Sequence, residues 1–110
     1  MKTNKIQFTD ASLFEIRGTS SYRGYVRSTA CKISKALGCE IGSAFRGQYP
    51  TTFEWDKKYG SVVFTIYDYK QGAKCSSTVL DYHIGTKCPE DTGIIVEMLK
   101  GLGLDAYIEK

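Results

Sequence analysis

One histidine and two prolines are all that 110 residues hold of those types, and no stretch approaches the roughly 18 apolar residues of a membrane span. The scarcity of histidine leaves a single side chain, His83, whose ordinary pKa suits proton transfer near neutrality. The opening Met1-Lys2-Thr3-Asn4-Lys5-Ile6-Gln7 lacks the apolar stretch of a signal peptide, so a cytoplasmic protein without membrane attachment is expected. Close C-x-x-C pairs are missing as well. Cys31, Cys39, Cys75 and Cys88 are separated by seven, thirty-five and twelve residues, which disfavours structural zinc; a reducing compartment then predicts four thiols and no metal. Neither a Walker loop nor a G-x-G-x-x-G after a strand occurs, and no cofactor is expected. A net charge of +3 is too mild for a dedicated duplex-DNA binder, which must replace many phosphate counterions, and nucleic acid is disfavoured as a partner.

What remains is an ordinary globular composition, 42% hydrophobic and 25% charged, at a length that buries one core and not two. A single α+β domain spanning 1–110 is expected, with the weakly patterned residues 1–11 as a flexible start. Leu13 to Ile16 alternates briefly as a strand, and Gly18-Thr19-Ser20-Ser21 supplies a turn with N-cap residues. The spacing of Val26, Ala30, Ile33 and Leu37 then predicts a helix over Tyr22 to Leu37, closed by Gly38 with Cys39 packed back on Ile33. Ile41 to Pro50, with Arg46 and Tyr49, reads as a loop. Thr51 to Asp56 and Ser61 to Lys70 form a hairpin through Lys57-Lys58-Tyr59-Gly60. After a polar loop from Gln71 to Ser77, Val79 to Gly85 adds a third strand of the meander. Pro89-Glu90-Asp91 opens a second helix whose stripe is Ile94, Ile95, Met98, Leu99 and Leu102, and Leu104 to Ile108 is a last strand. The order β-α-β-β-β-α-β predicts two layers: a mainly antiparallel sheet of four or five strands with two helices on one face.

Two segments could carry chemistry. Gly18-Thr19-Ser20-Ser21-Tyr22-Arg23 and His83-Ile84-Gly85-Thr86-Lys87 each read as a strand end, glycine, hydroxyl residue and base feeding a helix N-terminus, where unpaired N–H groups suit an anion. If their strands run parallel, Lys57, Lys58 and Tyr59 at the hairpin tip lie at the same sheet end. Thr19, Ser20, Ser21, Arg23, Lys57, Thr86 and Lys87 would then face phosphates, with Tyr22, Tyr59 or Tyr67 against a base and His83 close by. Helix capping and chain reversal explain the same residue types without any ligand. His83 is the catalytic residue of any acid–base reading, yet Asp81 on its strand lies about 7 Å away from a ~3.3 Å rise, too far to orient it directly. A binder is therefore favoured over an enzyme. Val62, Phe64 and Ile66 alternate with Val63, Tyr67 and Tyr69, so a central strand is covered on both sides. Two helices cover one face; the tyrosine face is left for a ligand or a second subunit, and a homodimer is expected.

The runs Gly18-Thr19-Ser20, Glu54-Trp55, Ile66-Tyr67-Asp68-Tyr69-Lys70 and Tyr82-His83-Ile84-Gly85 resemble, in this order, those of a group of short bacteriophage proteins. The likeness runs from about Gly18 to Val96; it departs where the group has Trp before the His and a second Gly after H-I-G, here Tyr82 and Thr86. It implies a viral accessory protein acting in the host cytoplasm. Such a protein antagonises host defence by sequestering a phosphate-bearing nucleotide signal, the leading expectation, or by binding a host defence protein directly as an anti-CRISPR-type inhibitor does. A small phosphodiesterase using His83 and an inert structural subunit of the virion or of a host-takeover complex are the competing classes.

Overall fold

The computed structural model describes residues 8–40, 53–68 and 77–109. They form β1 (Thr9–Asp10), α1 (Leu13–Ile16), β2 (Ser20–Ser28), α2 (Ala30–Leu37), β3 (Glu54–Tyr59), β4 (Val62–Tyr67), β5 (Leu80–Thr86), α3 (Pro89–Gly101) and β6 (Asp105–Ile108). One sheet runs in the order β1-β3-β4-β5-β2-β6, and every pairing is antiparallel. The fold is α+β with an antiparallel sheet, as the pattern of elements predicts, but the sheet has six strands rather than four or five and the helices number three rather than two among the described residues. The expected loop Ile41 to Pro50, Thr51 and Thr52 of the hairpin, Tyr69, and Cys75 in the polar loop lie outside the described residues. Cys31, Cys39 and Cys88 carry reduced thiols.

Two local readings are overturned. Leu13–Ile16 is helical rather than extended, because Ser12 and Glu15 form a capping box: Ser12 Oγ accepts from the Glu15 N–H at 3.1 Å and Glu15 Oε1 accepts from the Ser12 N–H at 2.8 Å. Reciprocal capping outweighs a four-residue alternation. Tyr22 to Ser28 is strand rather than helix, and α2 begins only at Ala30, capped by the Thr29 hydroxyl, which accepts from the Lys32 N–H at 3.1 Å. In β2 the period is two: Gly24, Val26 and Ser28 are buried, while Tyr25 and Arg27 alternate to the other face. Val26 keeps helical spacing to Ala30 and Ile33 only because the strand and the helix bury their apolar residues in one core.

Pairing fixes the faces. The rows Trp55–Ile66–Ile84–Gly24 and Tyr82–Val26–Ala106 point to α2 and α3. There they join Phe64, Ile33, Ile95 and Leu99 in a core whose members are almost wholly excluded from solvent. Trp55 Nε1 donates to Ser34 Oγ of α2 at 2.9 Å, so the one indole is both buried and satisfied. Gly38, left-handed at φ 70°, closes α2 and leaves Cys39 packed against the core as expected. α3 starts with Pro89 in its first turn and lies on β2, β5 and β6. The hairpin turn is tighter than predicted: Tyr59 pairs with Val62 around Gly60, left-handed at φ 63°, and Ser61. Lys57, Lys58 and Tyr59 therefore sit in the strand and not in the connection.

Gly24 sets the closest approach of helix to sheet. A Cβ there would lie 2.5 Å from Thr92 Cγ2, in a side chain whose hydroxyl is tied to Thr86 Oγ1 at 2.6 Å. Gly24→Ala is expected to cost about 1–3 kcal/mol in denaturant unfolding through overpacking. Adding Thr92→Ser, which deletes the clashing methyl and keeps the hydroxyl, should recover most of that loss. An alanine variant as stable as the parent would contradict the close approach.

Candidate functional site

The two proposed segments do meet, but as paired strands. Ser20 lies opposite Thr86 and Ser21 opposite Gly85; the pairing then breaks, with Tyr22 and Arg23 bulged out before Gly24 rejoins Ile84. The Tyr22 hydroxyl donates to the Lys87 carbonyl at 3.3 Å. Arg23, exposed, takes a left-handed φ of 64°, and its carbonyl accepts from the Glu109 N–H at 2.7 Å. Lys57 shares this sheet end, in the row Asp10–Lys57–Phe64–Thr86–Ser20.

The cradle of two helix N-termini does not form. Only Thr86-Lys87 leads into a helix. β2 runs away from this end for nine residues before α2 starts, so the N-termini of α2 and α3 lie at opposite ends of the sheet. The strands are antiparallel, not parallel. The candidate ligands have other partners: Thr86 is fully buried on Thr92, the Thr19 hydroxyl donates to the Ile16 carbonyl at 2.8 Å, and Lys57 pairs with Asp10 at 2.6 Å. Tyr59 turns toward the core side, its ring 6.0 Å from that of Phe8.

The opposite face of the sheet carries a different arrangement. Glu54, Tyr67, His83, Tyr25 and Tyr107 form one row, a residue from each of five neighbouring strands. Ring centroids are 5.2 Å apart from Tyr67 to His83, 5.1 Å from His83 to Tyr25 and 5.6 Å from Tyr25 to Tyr107, with interplanar angles of 11°, 56° and 28°. The rings stand on edge and lean on one another, half-buried, and among the described residues no helix covers them. A planar ring inserted between two of them would need about 7 Å between centroids, two van der Waals contacts of ~3.5 Å. The row offers no such slot. It presents edges and hydroxyls.

Carboxylates surround the rings. Asp81 accepts from the Tyr107 hydroxyl at 3.0 Å and pairs with Arg27 at 3.0 Å, and Asp105 lies across from Arg27 on β6. Burial raises the pKa values of Tyr25 and Tyr107, with Glu109 and Asp81 respectively adding to the shift. Burial lowers that of His83, between two aromatic rings, so the imidazole is neutral at physiological pH. Asp81 pairs with Arg27 and accepts from the Tyr107 hydroxyl. The sequence singled out Tyr67 and His83 from this row, with Asp81 on the His83 strand; it missed Tyr25 and Tyr107, whose shared parity on paired strands is the one signal that relates them.

No protein-family model matches the chain, and no curated protein or solved structure is similar to it. No helix among the described residues is long and apolar enough to cross a membrane.

The neutral form of His83 is favoured by the fold. Its contribution to stability is present above the ordinary value of 6.5 and lost as pH falls through the lowered one. An NMR titration of the imidazole should show a midpoint below 6.5, and Tyr67→Leu, which opens one side of the stack to water, should move it upward. A parental midpoint at or above 6.5 would contradict the packed environment.

Proposed function

We propose that the protein is a stoichiometric binder that docks on another protein through the face bearing Tyr67, His83, Tyr25 and Tyr107. In the setting implied by the resemblance to phage proteins, it is a viral accessory protein and the target is a component of host defence. One observation carries the reading: the aromatic row stands edge-out and closed to insertion while remaining half-exposed on a sheet face that no helix of the described residues covers at that row. Tyrosine supplies large, stiff contact area with a hydroxyl at its rim, the combination enriched at protein interfaces.

The charge around the rings gives the partner's character. Among the described residues, Glu54, Asp81, Asp105 and Glu109 outnumber Arg23 and Arg27 beside the row, although the whole chain carries +3. An acidic tyrosine face suits a basic protein surface, such as that of a nucleic-acid-handling enzyme, and repels nucleic acid itself. Nucleotide sequestration has less support, since the two helix N-termini that would cradle phosphate are at opposite sheet ends.

Immobilised protein should retain a discrete host protein in a salt-sensitive manner. Tyr107→Ala should weaken that retention about tenfold or more, as truncation of an interface anchor does, and Glu97→Ala on the outer side of α3 should not. Equal retention by both variants would rule out this face. Calorimetric heat with a cyclic nucleotide that disappears in His83→Ala would replace the reading with a nucleotide sponge.

A further inference from the structure

The docking face ends under a crossing segment. After β1 the chain leaves the sheet edge, passes through α1, which lies against β4, and re-enters as β2 on the far side of β5. It thus spans the open face at the end next to the aromatic row. Beneath it runs the row Asp56–Thr65–Gly85–Ser21, one step along each strand pair from the ring row. Asp56 and Thr65 are 9% and 4% exposed, and Gly85 is buried.

This row is unusual in its chemistry. Asp56 Oδ1 and Ser21 Oγ are both buried without a hydrogen-bond partner, where most buried polar atoms have one. The segment above is fastened mainly at its margins. The Ala11 N–H donates to the Asp56 carbonyl at 3.0 Å, Asp10 pairs with Lys57 at 2.6 Å, and Glu15 pairs with Lys58 at 2.8 Å. Its outward residue Phe14 is 78% exposed and contributes no packing to the core. A cover that buries two orphaned polar atoms, with Ala11 as the one buried apolar side chain described along residues 11–19, is held less firmly than the helices on the other face.

We propose that residues 11–19 are a strap over one end of the docking face, closed while Asp56 is uncharged and released when its carboxyl loses a proton to solvent. Release would bare the Asp56–Thr65–Gly85–Ser21 row and widen the face available to a partner; this regulatory role rests on the docking reading. The titrating group is pushed up to about 8 by burial first and by Glu54 beside it second, with Lys57 opposing. The strap contributes Glu15 and the strand it leaves contributes Asp10, each bound to a lysine; Lys58's hydrogen bond is the main cause holding Glu15 at about 2, so neither changes charge near neutrality. Thr65 and Gly85 do not titrate, and His83, one row away, is kept neutral. The sign follows from a folded value of about 8 against an ordinary 3.8. The closed state is fully favoured below about pH 4 and loses that preference as pH rises through 8.

Amide exchange at Ala11, corrected for the intrinsic rate, reads the strap directly and needs no partner. Protection should fall about tenfold between pH 7 and pH 9 in the parent protein, levelling off above pH 8, while the amides of β4 and β5 keep theirs. Asp56→Asn should abolish the fall, and Glu54→Gln, which removes the charge that disfavours ionisation, should move it to lower pH. Flat protection in the parent, or an unchanged fall in Asp56→Asn, would overturn the strap. If Asp56→Asn fails to fold, the direction of the Glu54→Gln shift decides alone. Because exchange is read on the isolated chain, failure of the docking reading leaves this result standing, and intact docking with flat protection defeats only the strap.

Discussion

Strand β2 lies between β5 and β6, and the pairing of its residues on both sides assigns every important side chain to a face. Gly24, Val26 and Ser28 turn to the helices; Tyr25 and Arg27 turn to the open side. A slip of one residue would put Tyr25 and Arg27 into the core and Val26 onto the surface, so burial of Val26 and the Gly24–Thr92 contact lock the register. The Tyr22–Arg23 bulge absorbs the mismatch at the upper end without disturbing the parity below it. Core and candidate interface are thus two readings of one hydrogen-bonding pattern.

The two faces differ in how they treat polar groups. On the helix side Trp55 is matched with Ser34 and Thr86 with Thr92, while the buried Tyr82 hydroxyl has no hydrogen-bond partner. On the open side the rings pair with each other and with carboxylates, and under the strap two buried oxygens go without partners.

Much of the architecture was legible because several elements announce themselves locally. Pro89 with Glu90 and Asp91 starts α3, Gly38 ends α2, and the β-branched and aromatic runs around Gly60 make the hairpin. What misled was a coincidence of spacing. Val26, Ala30, Ile33 and Leu37 share one core from two different elements, so their period mimics a single helix. Gly24 inside that pattern was the contrary signal, as was Glu15 three residues after Ser12 for α1. The aromatic row was harder to see. It is assembled from strands distant in sequence, and only pairing brings Tyr25 beside both His83 and Tyr107. The expected pairing of two helix N-termini is absent for the same reason: its segments are neighbours across β2 and β5, but one of them never enters a helix.

The account is tested most directly by placing a photo-crosslinking residue at Tyr107 on the open face, and separately at Glu97 on α3, in protein expressed inside the host. The docking account predicts a discrete protein adduct from position 107 and none from position 97. Adducts from position 97 alone would contradict it and move the interface to the helical side.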